Sequence, residues 1–236
     1  MLKSPWIAFI ITFFIAIAWL RINNWAASHG WVDNKISRKI IHVGTGPIFV
    51  ICWLLFPDHS ISRYLAAIIP GLITLNFLFI GMGIIKDTDS VQAISRTGDH
   101  REILRGPLYY GIVFVILTIV FWKESFLGII ALMMLCGGDG IADTFGRKIM
   151  SPHLPWSRVK TVSGSIAMFL GGWTFTLLVL YIFIQAGVWN TQWVNLVLPI
   201  MMIAFVCMLI ESIPIKDIDN ITVPITALVL GTLFIK

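Results

Sequence analysis

The residues best able to do chemistry lie together in residues 136–148, CGGDGIADTFGRK, directly after an apolar run. Charged side chains at the end of a membrane segment are costly, so they suggest a function. If the two glycines release the backbone from helical geometry, Asp139 can cap a new helix that starts near Gly140. Asp139, Asp143 and Arg147 would then share one face of that helix. Two carboxylates on one face suit Mg²⁺, and Mg²⁺ indicates phosphate chemistry. A glycine-rich turn with an Asp143–Arg147 salt bridge is the structural alternative.

The composition indicates which elements must position these residues. The chain has 236 residues, of which 58% are hydrophobic and 12% are charged. Soluble domains carry about twice that share of charge. Repeated apolar runs therefore predict an all-α polytopic transmembrane helix bundle, formed by one integral-membrane domain over residues 1–236. The spacing of the three cysteines fits neither a disulfide framework nor a zinc site, and no nucleic-acid-binding module is present.

About eight membrane spans are expected. The apolar runs that define them cover residues 5–20, 40–56, 64–85, 107–122, 126–136, 165–184, 194–213 and 221–235. The first is expected to be a retained anchor and not a cleaved signal peptide. The fifth is too short to cross a bilayer unless the Gly-Gly-Asp-Gly stretch lies within the membrane. Interrupted helices at buried polar sites make that arrangement physically reasonable.

The distribution of charge predicts the topology. Of the 17 Lys and Arg residues, only Lys3, Arg63, Lys123 and Lys236 lie outside the odd-numbered connections between spans. The positive-inside rule therefore places the odd connections in the cytoplasm and both termini on the non-cytoplasmic side. All acidic residues except Asp58 and Glu124 follow the odd connections. A polar site facing the cytoplasm is the expected result.

Four further patches belong to this polar side. Arg38, Lys39 and His42 open the second span at helical spacing, where the cations can clamp phosphates and His42 can carry a proton or a phosphate. An ordinary positive-inside anchor with a hydrogen-bonded histidine is the alternative. The third connection, residues 86–106, has the pattern of a short interfacial helix, and Pro107 suits a first helical turn.

The other two patches flank the later spans. Lys160 precedes the sixth span, whose unpaired N–H groups would form an anion site beside it; a serine cap near Ser165 is the alternative. Glu211 ends an apolar run, where an unpaired carboxylate would be costly, so it is a candidate for holding a metal or a ribose hydroxyl. A helix cap formed by Asp219 or Asn220 is the alternative there.

Together these patches resemble the polyprenol kinase family, which includes dolichol, phytol and farnesol kinases and the CTP-dependent diacylglycerol kinases. The resemblance extends from about residue 37 to residue 224. It rests on Arg38-Lys39-x-x-His42, LRGPLYY at 104–110, Gly138-Asp139-Gly140-x-Ala142-Asp143-x-x-Gly146-Arg147, Lys160-Thr161 with Gly164-Ser165, and Glu211-Ser212 with Asp219-Asn220 and Pro224. The LRGPLYY stretch is most similar to the phytol kinase branch. Many relatives have Glu-Gly-Ser where this chain has Ser163-Gly164-Ser165, so the role of that Glu is absent or filled by Glu211.

The resemblance implies transfer of the γ-phosphate of CTP to a lipid alcohol at the cytoplasmic membrane face, giving a lipid monophosphate and CDP. Asp139, Asp143, His42 and Lys39 are the implied catalytic residues, and either Asp139 or His42 takes the alcohol proton. Asp139, Asp143 and Glu211 are the implied Mg²⁺ ligands. The residues implied to bind the nucleotide are Arg38, Lys39, Arg105, Arg147, Lys148, Lys160, Gly164, Ser165, Asp219 and Asn220.

Other functions stay open at this point. A phosphatidate cytidylyltransferase shares the membrane, CTP and Mg²⁺, and a CTP-dependent diacylglycerol kinase differs only in its acceptor. A CDP-alcohol phosphotransferase is disfavoured because residues 148–159 lack the aspartates it requires. An ion-coupled transporter would have polar residues through the membrane midplane, whereas here the charges gather at one side. Phytol, geranylgeraniol, farnesol, a longer polyprenol and diacylglycerol all fit as acceptors. Membrane lipids are further expected partners.

Overall fold

The protein is all-α in the part of the chain described by its computed structural model, which covers residues 1–32, 34–95, 97–214 and 217–235. Some side chains within these ranges are also outside the description, namely those of residues 24, 27, 28, 34, 35, 38, 89, 92, 93, 143 and 147. About 75% of the chain is helical. The α-helices are α1 Pro5–Ser28, α2 Asn34–Cys52, α3 Ser62–Gly81, α4 Thr88–Ile94, α5 Gly106–Val120, α6 Phe126–Met133, α7 Gly140–Lys148, α8 Val162–Gln185, α9 Val194–Glu211 and α10 Asp219–Phe234.

Eight apolar helical segments correspond to the eight expected spans. Six are long and apolar enough to cross a membrane: Pro5–Asn23, Ser62–Gly81, His100–Val120, Phe126–Gly146, Val162–Gln185 and Val194–Glu211. Lys39–Leu55 and Asp219–Phe234 are shorter apolar helices. The predicted all-α polytopic bundle is confirmed. The fifth span is long enough because it includes the Gly-Gly-Asp-Gly stretch.

The helices form two compact units, the first of which contains residues 1–41 and 56–120. In this unit α3 packs against α5 so closely that a Cβ at Gly111 would lie 2.2 Å from Thr74 Oγ1. The connection predicted to contain an interfacial helix does form a short helix, α4, in which Asp87 Oδ1 caps the start by accepting from Ser90 N (3.0 Å). Pro107 lies in the first turn of α5, as expected from its missing N–H.

The second unit contains residues 42–55 and 121–236, and its core is the buried segment 128–138. There α6 continues through a π-helical stretch, Met134–Asp139, directly into α7. The expected break at the glycines is wrong: Asp139 has helical φ −61° and ψ −41°, and its side chain makes no cap hydrogen bond. The wider π-helical turn accommodates the glycines without breaking the helix. Such π-helical turns are often found at functional sites.

The glycines serve close packing between this stretch and α8. An ideal Cβ at Gly171 would lie 2.3 Å from the carbonyl oxygen of Gly137, and one at Gly138 would lie 2.6 Å from Met168 Sδ. Backbone cannot give way as a flexible side chain can, so the Gly137–Gly171 contact requires glycine at position 171. This contact sets how closely α8, and the loop before it, approach Asp139.

Gly171→Ala is therefore expected to destabilise the protein by about 1–3 kcal/mol, the usual cost of overpacking. Thermal unfolding in detergent measures the effect. Gly71→Ala is the matched control, because its Cβ would meet only Val115 Cγ2 at 3.9 Å and it gains the same helix propensity. Equal melting temperatures for the two variants would show that the α8 contact does not limit stability.

Candidate functional site

Three carboxylates from three elements meet in the second unit. Asp139 ends the π-helical stretch, Glu211 ends α9 and Asp219 begins α10. One oxygen of each carboxylate lies within 4.8 Å of the other two. Like charges this close repel strongly unless a cation lies among them. The arrangement therefore has the donor type and the spacing of a site for a hard divalent cation.

Lys160 already supplies one positive charge. Its Nζ contacts Glu211 Oε1 and lies 3.6 Å from Asp219 Oδ2. Glu211 is 3% exposed, so the carboxylate of this ion pair is buried. Burial lowers the pKa of Lys160, but Glu211, with smaller contributions from Asp139 and Asp219, more than offsets this and raises the pKa above its ordinary value. Lys160 is thus charged at neutral pH.

A tight turn between α7 and α8 positions Lys160. Its backbone N donates to Ser157 Oγ (3.0 Å), and its carbonyl accepts from Leu154 N (3.0 Å). Trp156 Nε1 donates to Ser212 Oγ (3.2 Å), next to Glu211. The backbone at Lys160 is therefore fixed on both sides, and the turn is connected to the end of α9.

His42 lies beside Asp139. The distance from His42 Nε2 to Asp139 Oδ2 is 3.9 Å, and the side chains are 32% and 18% exposed. Gly140 permits this approach, since a Cβ there would lie 2.9 Å from His42 Cδ2 and 2.7 Å from Val43 Cγ2. Asp139 and His42, either of which was expected to accept the alcohol proton, are thus neighbours.

The anion site expected at the start of α8 is not present in the form predicted. Thr161 caps the helix, so the serine cap considered as the alternative is also wrong. Each of the first N–H groups has an acceptor: Val162 bonds to Pro152 O, Ser163 to Ser151 Oγ, Gly164 to Thr161 Oγ1 and Ser165 to Thr161 O. With its donors used in this way, the helix start has none left for a phosphate. Gly164 instead packs against Gly146, where its Cβ would lie 3.3 Å from the Gly146 Cα.

The start of α10 places Asp219 and Asn220 differently from a simple cap. Ile218, the residue before α10, makes no side-chain cap bond to the helix. Asp219 Oδ1 accepts from Asn220 N (3.1 Å), and Asn220 is 8% exposed. The positive end of the helix dipole favours a carboxylate at this position. Asp219 was expected to bind nucleotide, but its geometry also makes it a member of the acidic cluster.

The remaining predicted residues lie in the first unit, at the end of α7 or outside the described side chains. Asp143, Arg147 and Arg38 have side chains outside the described residues. Lys39 and Arg105 belong to the first unit. Lys148 is exposed at the end of α7. Their roles stay predictions.

Sequence reasoning missed the ion pair between Lys160 and Glu211. The available signal was Glu211 itself, because a carboxylate at the end of an apolar run requires a cationic partner. Nothing in the spacing distinguishes Lys160 from the other cations of the polar connections. The 51-residue separation of the two partners hides the pair.

Fold and site together define a class: a polytopic membrane protein with a partly buried acidic cluster at the ends of its helices, of the donor type that could hold a divalent cation. The chain is similar to a protein of Glycine max named "Probable phytol kinase 3, chloroplastic", with 36% identity over 223 residues, covering 94% of this chain and 70% of the relative. It is also similar to two proteins of Arabidopsis thaliana. "Farnesol kinase, chloroplastic" is 34% identical over 228 residues (96% and 74% covered), and "Phytol kinase 1, chloroplastic" is 35% identical over 199 residues (84% and 66%).

The chain belongs to the polyprenol kinase family, in its phytol kinase branch. It matches no protein-family profile and no solved structure. The similarity to the curated relatives covers almost the whole chain, so both units fall within it. The resemblance drawn from the motifs is thereby confirmed.

Proposed function

We propose that this protein is a CTP-dependent lipid alcohol kinase that phosphorylates an isoprenoid alcohol at the cytoplasmic membrane face. The observation that carries the proposal is the Asp139–Glu211–Asp219 cluster with Lys160, in a chain whose relatives are named phytol kinase and farnesol kinase. Phosphoryl transfer depends mainly on charge neutralisation and alignment, and this cluster could supply both once it holds a divalent cation.

The donor set fits Mg²⁺. Three carboxylate oxygens within 4.8 Å of one another match the oxygen ligands that Mg²⁺ takes, and the Lys160 ammonium acts as a stand-in cation among them. Asp139, Glu211 and Asp219 would hold the ion, with Asp143 as a further proposed ligand. When bound, Mg²⁺ would neutralise charge on the nucleotide phosphates and help align them.

The chain's own residues then handle the proton and the phosphate charge. The alcohol oxygen attacks the γ-phosphorus, the bond from that phosphorus to the β–γ bridging oxygen breaks, and CDP leaves. Asp139 or His42 accepts the hydroxyl proton. Lys160, with Lys39, Arg38, Arg105, Arg147 and Lys148 as further candidates, offsets the negative charge of the phosphates. Gly164 is not included, because its N–H is already bonded to Thr161 Oγ1. Ser165 stays a candidate through its hydroxyl, which is buried without a hydrogen-bond partner among the described residues.

An isoprenoid acceptor is favoured over diacylglycerol by the names of the relatives. Such a substrate has one hydroxyl on a long apolar tail. The tail would lie in the hydrocarbon region beside the spans, which places the hydroxyl at the polar end where the cluster lies. Phytol, geranylgeraniol and farnesol differ in the length and saturation of the tail, so their relative rates measure the shape of the tail site.

His42→Gln separates the two candidate proton acceptors. If Asp139 accepts the proton and His42 only orients it, the variant is expected to keep measurable turnover, with kcat lowered by about tenfold. If His42 accepts the proton, kcat should fall by about 100-fold or more, and the loss should shrink at high pH where the alcohol ionises more readily. The pH profile of kcat for wild type and variant decides between them.

A two-label assay tests the function. Purified protein in detergent with Mg²⁺ receives CTP labelled at the γ- or the α-phosphate, with phytol, farnesol, diacylglycerol or phosphatidate. The proposal predicts γ-label, and no α-label, in an isoprenoid monophosphate. Transfer of α-label to phosphatidate with release of pyrophosphate would assign a cytidylyltransferase instead. If γ-label is transferred from ATP or GTP but not from CTP, only the proposed nucleotide donor is wrong.

A further inference from the structure

Lys160 contacts two of the three carboxylates that the proposed metal would use. Its Nζ bonds to Glu211 and lies 3.6 Å from Asp219 Oδ2. We propose that Lys160 holds the cluster together until a divalent cation binds, and that its ammonium then leaves these carboxylates for the phosphates of the nucleotide. This inference rests on the proposed function, and it assigns Lys160 two successive positions in the same site.

Crowding of positive charge is the reason for the exchange. A metal ligated at about 2.1 Å and an ammonium bonded at about 2.8 Å to the same carboxylate would lie within roughly 5 Å of each other. Repulsion between a divalent and a monovalent cation at that distance is strong even at the effective permittivity of a protein surface. Glu211 and Asp219 can each bind one cation well, so binding of the metal ion favours departure of the Lys160 ammonium.

The structure allows Lys160 to move without disturbing the fold. Its backbone is bonded at N by Ser157 and at the carbonyl by Leu154, so the turn stays in place. The ammonium is at the end of a flexible four-carbon stem, and the side chain is 24% exposed, which gives it a route out of the cluster. Fixed backbone and mobile head together suit a cation that changes partners.

Chemical labelling of lysine tests the movement directly. An amine-reactive acylating reagent is applied to the full-length protein in detergent, with and without Mn²⁺, and labelling is quantified by mass spectrometry. Lys3, which is exposed and is not among the proposed binding residues, serves as an internal reference. Release from the buried Glu211 carboxylate leaves the Lys160 amine open to the reagent, so Mn²⁺ should raise Lys160 labelling by about threefold or more relative to Lys3. Adding CTP with Mn²⁺ should lower it again.

Two controls separate this inference from the proposed function. Loss of the free Mn²⁺ signal in electron paramagnetic resonance reports metal binding independently of activity. Lys160→Met should bind Mn²⁺ about tenfold more tightly than wild type, because no ammonium competes. Glu211→Gln should bind it weakly and show no rise in Lys160 labelling.

Each outcome decides a different claim. If wild type binds Mn²⁺ but Lys160 labelling does not rise, the exchange is wrong and the metal site stands. If wild type binds no Mn²⁺ and no phosphoryl transfer occurs, the proposed function fails together with the exchange. A rise in Lys160 labelling that CTP does not reverse would support displacement of Lys160 by the metal. It would contradict the movement of its ammonium to the nucleotide phosphates.

Discussion

Asp139→Asn is expected to lower kcat for γ-phosphate transfer by about 100-fold or more while the protein still folds. The substitution keeps the size of the side chain but removes its negative charge and most of its basicity. Asp139 is central because it lies close to both groups of functional side chains: within 4.8 Å of the Glu211 and Asp219 carboxylates and 3.9 Å from His42. Either proposed role, metal ligand or proton acceptor, requires the charge.

The measurement is the initial rate of label transfer from CTP to phytol, at equal amounts of monodisperse protein. Asp58→Asn is the matched control, since Asp58 is an exposed carboxylate outside the polar side of the chain. Its rate should equal that of wild type. Retention of wild-type turnover by Asp139→Asn would show that the cluster is not the site of transfer.

The second large effect concerns the ion pair between Lys160 and Glu211. Removing one partner of a buried pair costs about 3–5 kcal/mol, because the other charge is left buried. Glu211→Gln is expected at the lower end of that range, since Asp219 still lies 3.6 Å from Lys160. Lys160→Met leaves three carboxylates without the ammonium that bridges two of them, so it should also destabilise the protein.

The double variant Lys160→Met with Glu211→Gln provides the test. If the pair interacts as the structure indicates, the double variant should be more stable than the sum of the two single losses implies, by about 1–3 kcal/mol. All three variants should lack activity, because a metal ligand or a phosphate-binding cation is gone. Thermal unfolding in detergent gives the stabilities. Strict additivity would contradict a direct interaction between Lys160 and Glu211.

The sequence predicted the spans well because membrane helices are specified by local properties. Length and apolar content alone define a segment such as Ser62–Gly81. The fifth span was expected to need the Gly-Gly-Asp-Gly stretch, and it includes that stretch. Its backbone was predicted incorrectly, since glycine allows a break without requiring one. The helix is continuous where Gly137 packs closely against Gly171, and that contact joins residues 34 positions apart.

The site was predictable in its acidic members and not in its pairing. Asp139 and Glu211 are conspicuous because carboxylates are rare next to apolar runs. Their proximity to each other and to Lys160 depends on how α8, α9 and the π-helical stretch pack, which spacing along the chain does not encode. The anion site at α8 failed for a related reason: the turn before the helix folds back and supplies its own acceptors.

Ser163 illustrates how a departure from the family pattern is accommodated. It stands where the resemblance led us to expect a Glu in many relatives. Its hydroxyl accepts a hydrogen bond from the Ser151 hydroxyl (2.8 Å), and its N–H donates to Ser151 Oγ (3.1 Å). It therefore stabilises the turn that carries Lys160. Glu211 supplies a carboxylate to the cluster, as the second of the two expected alternatives for the role of that Glu requires.

The most direct test is the position of a bound metal. Crystals grown with Mn²⁺ and a non-hydrolysable CTP analogue would give an anomalous signal from manganese. We expect one peak about 2.0–2.3 Å from carboxylate oxygens of Asp139, Glu211 and Asp219, with the Lys160 ammonium turned toward the phosphates. A peak elsewhere, with Lys160 still bonded to Glu211, would contradict it.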